Sequence, residues 1–302
     1  MQMIFFLILV VLPPITIMGN TMNSTDSDLV YLFSHGLADS HKQAYRYKDL
    51  TSHQKIETFD YPDVNNGILR VNRLQSSLAQ ENEIERLSLA FDQTIAKKEK
   101  NGILIGVSRG ASAIVNFMGL SNPERIQAIV LESPFDCVDS IAMSVCHESK
   151  LSWIPGIKKC GCSLMSFIFC KYKPDGIRPI DCVSKIRKDL PILIIISAKD
   201  GLVPVWSSIN LYQELRNTGH TNVYLVIFDD GKHAKLINHP KNGIVYRQVT
   251  HAFYQKFNLP HDPQLASLGA NLLQQPEHET LLKYYPSYCH PKYNQKKALN
   301  ER

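Results

Sequence analysis

Residues 102–112 of this chain read GILIGVSRGAS, an apolar run that stops at a serine and continues into small residues. Ser108 has Gly106 two positions before it and Gly110 two positions after it. The residues before the serine have the composition of a buried strand, and those after it suit a helix. Glycine removes the Cβ atoms that would clash where a strand turns directly into a helix. The stretch therefore predicts either an ordinary tight turn or a strained turn that exposes the Ser108 hydroxyl.

Short apolar runs and longer amphipathic stretches alternate on both sides of this turn. The apolar or alternating runs predict strands over residues 29–33, 55–61, 103–107, 125–131, 191–196 and 222–228. The amphipathic stretches predict helices over residues 81–98, 109–120, 205–217 and 244–257. Strands separated by helices imply crossover connections. We therefore predict an α/β fold with a mostly parallel sheet of about six strands and helices on both faces.

The chain divides into a main domain and three further segments. Residues 1–19 carry an apolar run with two prolines, which predicts a signal peptide or a membrane anchor, with a buried first strand as an alternative. Residues 28–258 hold the strand and helix pattern, and residues 136–182 within them predict a short cysteine-rich lid. Residues 261–302 predict a polar appendage with one short helix over residues 264–274. This organisation indicates an exported or membrane-associated protein, with a cytoplasmic location left open.

Charge and cysteine content narrow the class of protein. The net charge is +5, and the basic residues are scattered without an aromatic stripe, which argues against nucleic-acid binding. The cysteines of this segment could form disulfides or remain free buried thiols. A third alternative is a zinc site at Cys160 and Cys162, although these two cysteines are separated by one residue instead of the usual two. Six of the seven cysteines lie in that segment: Cys137, Cys146, Cys160, Cys162, Cys170 and Cys182.

A base and an acid follow Ser108 in the chain, each placed after a later strand. Asp200 follows the run 191–196, and His233 follows the run 222–228. Because the carboxyl ends of parallel strands meet at one edge of a sheet, we expect all three side chains at that edge. A serine hydroxyl needs such partners to become a nucleophile. Other titratable side chains near these strand ends stay open as alternatives: Glu132, Asp229, Asp230 and His239.

Backbone amides near Ser108 are candidates for stabilising an oxyanion. Gly-x-Ser-x-Gly between a strand and a helix is the nucleophile-elbow pattern, and the amide of Arg109 is then one donor. His35-Gly36 follows the first predicted strand, so the amide of Leu37 is the second candidate donor. We expect His35 to hold this loop rather than to act as a base. The predicted chemistry requires no metal and no organic cofactor.

Six stretches together resemble the α/β-hydrolase superfamily and occur in its order. They are SHGLADS, FDYP, GVSRGAS, IVLESPF, PILIIISAKDGLVP and DDGKHA. The resemblance covers residues 28–258 and is strongest toward the serine aminopeptidase-like and dienelactone hydrolase-like branches, with similarity to the catalytic domain of prolyl oligopeptidases. It implies acyl transfer to water through an acyl-enzyme, with Ser108, His233 and Asp200 as the triad. The cysteine-rich insertion departs from the family pattern.

Three hypotheses about function follow from this resemblance. The first is a serine hydrolase of carboxylic esters or thioesters with a small-molecule or lipid-like acyl substrate. The alternatives are a serine peptidase, for which the Arg109 side chain is a candidate charge near the substrate, and a catalytically silent binding protein. Apolar side chains of the lid either roof the site or pack onto the core: Trp153, Ile154, Ile157, Leu164, Met165, Phe167, Ile168 and Phe169.

Overall fold

The computed structural model describes residues 28–64, 72, 74–148 and 165–284. Its strands, in chain order, are β1 Leu29–Ser34, β2 Ile56–Thr58, β3 Asn101–Val107, β4 Ile126–Glu132, β5 Ile192–Ser197 and β6 Val223–Phe228. They form one sheet in the order β2-β1-β3-β4-β5-β6, and every neighbouring pair is parallel. The prediction of an α/β fold with a parallel sheet is confirmed.

Helices connect the strands and also follow the last one. In chain order they are α1 Glu81–Phe91, α2 Arg109–Ser121, α3 Val138–Glu148, α4 Pro179–Cys182, α5 Val205–Asn217, α6 Asn242–Lys256, α7 Pro263–Gly269 and α8 His278–Tyr284. Helix α1 continues as a π-helical turn over Asp92–Ala96, and a 3-10 helix over His41–Leu50 follows β1. Within the described ranges, none of the helices is both long and apolar enough to cross a membrane.

Both faces of the sheet are buried, which explains the nearly uninterrupted apolar runs of its strands. Successive side chains of a strand point to opposite faces. Leu32 and Leu104 accordingly belong to the core under α1, α2 and α5. Tyr31 and Ile103 belong to the core under α6 and the 3-10 helix. This double burial leaves the carboxyl edge of the sheet, where the loops emerge, as the place for a site.

The segment after α6 covers the outer edge of β6. The Leu225 amide of β6 donates to the Gln274 carbonyl at 3.1 Å, and the Gln275 side-chain amide donates to the Val223 carbonyl at 3.0 Å. The Tyr212 hydroxyl of α5 donates to the Pro276 carbonyl at 3.3 Å. These contacts satisfy edge groups that would otherwise be open to pairing. Residues 263–284 therefore pack on the domain, and they include the helix α8, which the sequence did not predict.

The cysteine-rich segment is described only in part. The structure shows Cys137 and Cys182 as buried free thiols and Cys170 as an exposed free thiol, so none of these three forms a disulfide. Burial raises the pKa of the Cys137 thiol. Residues 149–164, with the candidate zinc ligands, lie outside the described residues, as do the N-terminal apolar run and the chain after residue 284.

Half of the apolar lid residues that were predicted to cover the site fall within the described residues. Phe169 is buried in the main core, and Met165 and Ile168 pack against that core. Phe167 is 83% exposed. The described apolar side chains of this segment therefore mostly anchor it to the domain, while the predicted roof residues from Trp153 to Leu164 lie outside the description.

Candidate active site

Ser108 occupies a strained turn between β3 and α2. Its backbone has φ 54° and ψ −119°, a conformation that side-chain-bearing residues adopt only where the surroundings enforce it. A Cβ on Gly106 would lie 2.7 Å from the Cα of Ala111, and one on Gly110 would lie 2.2 Å from the Ser34 carbonyl oxygen. Both glycines are required because backbone atoms approach them directly. The geometry is that of a turn that presents the serine at the carboxyl edge of the sheet.

The structure brings the three predicted side chains together at this edge. The Oγ of Ser108 lies 2.8 Å from Nε2 of His233. The other ring nitrogen, Nδ1, lies 2.9 and 2.8 Å from the two carboxylate oxygens of Asp200. Ser108 follows β3, Asp200 follows β5 and His233 follows β6, so the parallel sheet supplies the juxtaposition.

The Asp200 carboxylate is held by several donors. The amides of Leu202 and Val203 each donate to Oδ1 at 2.9 Å, and the Ser133 hydroxyl donates to Oδ2 at 2.8 Å. Burial by itself would raise the pKa of this carboxyl, but the donors and the nearby imidazole hold it below the ordinary value of 3.8. The carboxylate is therefore ionised and oriented toward His233.

Ser133 is a site residue that the sequence analysis did not single out. It follows β4, has φ 50° and is fully buried, so its hydroxyl is directed inward by the turn. A positive φ in a non-glycine residue marks an enforced conformation. The Ser-Pro pair directly after a strand was the one local signal for such a turn.

Glu132, a candidate acid in the sequence, has different partners. Its carboxyl accepts from the Tyr47 hydroxyl at 2.7 Å and from the Leu236 amide at 3.4 Å. Burial raises the pKa of Glu132, and the hydrogen bond from Tyr47 only partly offsets this. The Glu132 carboxyl therefore bonds the backbone of residues 229–239, called the histidine loop below, and does not bond the ring of His233.

Of the remaining candidates, Asp229 and Asp230 are exposed on the histidine loop, and His239 is partly buried. Asp230 is 3.7 Å from the Lys199 ammonium and 3.8 Å from the ring of His239. Among the carboxylates that the structure describes, only Asp200 hydrogen-bonds the ring of His233. Within the same ranges, no group of three or more His, Cys, Asp and Glu side chains is arranged to hold a metal ion.

The loop after β1 lies directly against Ser108. A Cβ on Gly36 would be 3.7 Å from the Cβ of Ser108. Leu37 follows in a turn, and Arg109 is the first residue of α2. The first amides of a helix have no acceptor within that helix, and its dipole favours negative charge there. Both predicted amide donors thus belong to segments that flank the serine.

His35 anchors this loop from the inside. Its Nε2 accepts from the Tyr61 amide at 3.2 Å, so the proton is on Nδ1, which donates to the Gly36 carbonyl at 2.8 Å. Burial and the neighbouring Arg109 guanidinium lower the pKa of His35 to about 3. The ring is therefore neutral, and both of its nitrogens are used in hydrogen bonds to the backbone.

The Arg109 side chain is buried, so the idea that it recognises a charged group of a peptide is wrong. Only 1% of the residue is exposed. Its guanidinium donates to Asp63, lies 3.3 Å from Glu83 and stacks 4.5 Å above the centre of the Tyr61 ring. These buried partners hold the guanidinium inside the protein and away from a substrate.

The model of the prolyl oligopeptidase family matches residues 84–259, more than half of the chain. The chain belongs to this family. The match includes the strand-turn-helix around Ser108 and both later loops of the site. This prolyl oligopeptidase family member is thus an α/β-hydrolase of the serine hydrolase type.

Individual relatives are distant. An uncharacterized protein of Acanthamoeba polyphaga mimivirus is 23% identical over 221 residues, which are 70% of this chain and 69% of the relative. An esterase of Pyrococcus furiosus superposes with a TM-score of 0.55 at 20% identity, over 76% of this chain and 83% of the esterase. An acylaminoacyl peptidase of Pyrococcus horikoshii superposes with a TM-score of 0.57 at 14% identity, over 86% of this chain and 40% of the peptidase. At these identities the likeness establishes a shared fold.

Proposed function

We propose that this protein hydrolyses a carboxylic ester, thioester or related acyl bond through an acyl-enzyme. The observation that carries the proposal is the continuous contact from Ser108 Oγ to His233 Nε2 and from His233 Nδ1 to Asp200. The esterase among the structural neighbours supports a small-molecule acyl substrate.

The proposed mechanism assigns one role to each side chain. Because the Asp200 carboxylate accepts from Nδ1–H, the Nε2 of His233 is left as the base that faces Ser108. His233 takes the hydroxyl proton as Ser108 Oγ forms a bond to the acyl carbon, and it then gives that proton to the leaving group. Water attacks the acyl-enzyme in the same way, with its proton passing through His233 back to Ser108. Asp200 stabilises the imidazolium in both steps.

Charge that develops on the acyl oxygen needs fixed donors. We assign this role to the amides of Leu37 and Arg109, one on the loop after β1 and the other at the start of α2. Donors that are fixed before the reaction stabilise the oxyanion without reorganisation.

A serine peptidase is the second candidate, and the family match favours it. The same three side chains would act on an amide, and the buried guanidinium of Arg109 leaves recognition of a peptide end to other residues. The acylaminoacyl peptidase among the neighbours shares the fold with this chain.

A fluorophosphonate probe tests the role of Ser108. We expect the wild type to be labelled and Ser108→Ala to be unlabelled, because the probe reacts with an activated serine. Ser112→Ala is the matched control, since this buried serine of α2 hydrogen-bonds Phe135 and should leave labelling intact. Equal labelling of Ser108→Ala would refute the assignment. An unlabelled wild type would favour the silent binding protein.

A substrate panel separates the two candidates. Acyl p-nitrophenyl esters from acetyl to palmitoyl should be compared with aminoacyl and prolyl anilides at equal concentrations of titrated active sites. Faster turnover of esters, rising with acyl length, supports the acyl hydrolase with a lipid-like substrate. Turnover of the anilides at comparable kcat/KM supports the peptidase instead.

A further inference from the structure

The guanidinium of Arg109 links the oxyanion loop to a buried group of acids. Its Nη2 donates to the Gly36 carbonyl at 3.3 Å, while its Nη1 donates to Asp63 and to Glu83, the latter at 3.3 Å. The ring of Tyr61 packs beneath the guanidinium, with 4.5 Å between the guanidinium carbon and the ring centre. Both Nη nitrogens thus have acceptors within the protein, whereas the buried Nε has no hydrogen-bond partner among the described residues.

The Gly36-Leu37 peptide is fixed on its carbonyl side. That oxygen accepts from His35 Nδ1 at 2.8 Å as well as from Arg109 Nη2, and the Gly36 amide donates to the Gln43 side chain at 2.8 Å. In a planar trans peptide the N–H points opposite to the C=O. With the carbonyl held by the guanidinium, the Leu37 amide must point away from the buried acids.

We propose that the Arg109 side chain is a positioning residue for the oxyanion site. It holds the Gly36-Leu37 peptide so that the Leu37 amide faces the acyl oxygen, while the Arg109 backbone amide supplies the other donor. One residue then provides one donor and orients the second. The inference rests on the proposed function, since it concerns donors to the oxyanion of that reaction.

Both acids that hold Arg109 are buried, and Glu83 has further donors. Side-chain exposure is 2% for Asp63 and 1% for Glu83. Glu83 also accepts from the Ser76 hydroxyl at 2.9 Å and from the Ser77 amide at 3.1 Å. These bonds keep the carboxylate, and through it the guanidinium, in one place. A planar fork can serve both acids and the carbonyl at once, whereas the single ammonium of lysine cannot keep the same directions.

A purely structural role of this ion cluster is the competing explanation. Removing one partner of a buried ion pair is strongly destabilising whatever its function. Loss of folded protein therefore cannot distinguish the two roles. A readout taken per active site, on a ligand that reports the oxyanion, does.

The experiment uses Arg109→Lys in the full chain, with active sites counted by fluorophosphonate titration. Arg187→Lys is the matched control, because Arg187 also donates to backbone carbonyls, those of Pro123 and Ile126, at the opposite edge of the sheet. Steady-state rates are measured on p-nitrophenyl acetate, and affinity is measured for phenylboronic acid, whose tetrahedral serine adduct mimics the oxyanion.

Removal of one oxyanion donor costs about 100- to 1,000-fold in kcat. Because the Arg109→Lys change would turn the Leu37 amide rather than delete it, we expect about a 10- to 100-fold loss in kcat/KM. The loss should fall in kcat with little change in KM, and the boronate dissociation constant should rise by a similar factor. Arg187→Lys should match the wild type per active site. Glu83→Gln, which removes one anchor and keeps the guanidinium, should show a smaller loss in the same direction.

Wild-type rates and boronate affinity per active site in Arg109→Lys would overturn the inference while leaving the proposed function intact. A loss of equal size in Arg187→Lys would also overturn it, because the effect would then follow general stability. If the wild type neither hydrolyses the ester nor reacts with the fluorophosphonate, the proposed function fails and this inference falls with it.

Discussion

Replacement of Asp200 by Asn exchanges one carboxylate oxygen of the proposed triad for an amide nitrogen. In the wild type, Oδ1 of Asp200 accepts from the amides of Leu202 and Val203, and Oδ2 accepts from the Ser133 hydroxyl. The two backbone donors keep an oxygen at Oδ1, so the Asn amide nitrogen takes the place of Oδ2. That nitrogen is a donor and faces Nδ1 of His233, which lies 2.8 Å from Oδ2 in the wild type. Nδ1 is also 2.9 Å from Oδ1, but the two backbone amides occupy both lone pairs of that oxygen in the Asn variant.

This donor favours the imidazole tautomer whose proton is on Nε2, directed at Ser108. The serine then meets a donor where it needs a base, and the stabilising charge of Asp200 is lost as well. The corresponding change in a serine triad lowers kcat by about 10,000-fold. That factor is about 5 kcal/mol in the activation free energy. The fold should persist, because the Ser133 hydroxyl can rotate to accept from the new amide.

The assay is single-turnover release of p-nitrophenol with titrated active sites. Asp230→Asn is the matched control, since Asp230 lies on the same histidine loop and has Lys199 and His239 as ionic neighbours. We expect Asp230→Asn to keep nearly the wild-type rate. A rate for Asp200→Asn within about tenfold of the wild type would refute the reasoning, as that is only about 1.4 kcal/mol. A large loss in Asp230→Asn would refute it as well.

Two stability predictions use other parts of the site, and thermal melts measure both. Gly110→Ala should cost about 3 kcal/mol, the upper end of the usual range for overpacking, because the new Cβ would lie 2.2 Å from the Ser34 carbonyl oxygen. An unchanged melting temperature would contradict this. The raised pKa of Glu132 means that its stabilisation is present below its ordinary value of 4.5 and is lost as pH rises through the folded value. The melting temperature of Glu132→Gln should therefore rise relative to that of the wild type as the pH increases. A difference between the two melting temperatures that does not grow with pH would contradict this.

Local patterning was sufficient for the sheet because both of its faces are buried. Predicted strands 103–107, 125–131 and 191–196 correspond to β3 Asn101–Val107, β4 Ile126–Glu132 and β5 Ile192–Ser197. A run of apolar residues with flanking turns carries that information within a few positions. Helix α3 was missed. Its apolar residues Val138, Ile141, Ala142 and Val145 have helical spacing, but the cysteines, prolines and glycines that follow suggested a loop.

The sequence by itself determined where Ser108, Asp200 and His233 emerge from the sheet. Once strands and helices alternate, the sheet is parallel, and residues that follow its strands must share one edge. That reasoning placed Ser108, Asp200 and His233 together without any knowledge of their distances. It favoured Asp200 but left Glu132, Asp229 and Asp230 open, since several carboxylates follow strands at the same edge and side-chain direction decides between them.

Only the tertiary structure decided which side chains support that edge. Arg109 meets acids that are 46 and 26 positions away in the chain, and Ser133 meets Asp200 across 67 positions. No local period encodes such pairings, because they depend on how separate loops pack after the sheet has formed. Arg109 illustrates the physical reason. Its charge made it a candidate for substrate recognition, but the buried partners that surround its guanidinium hold it inside the protein.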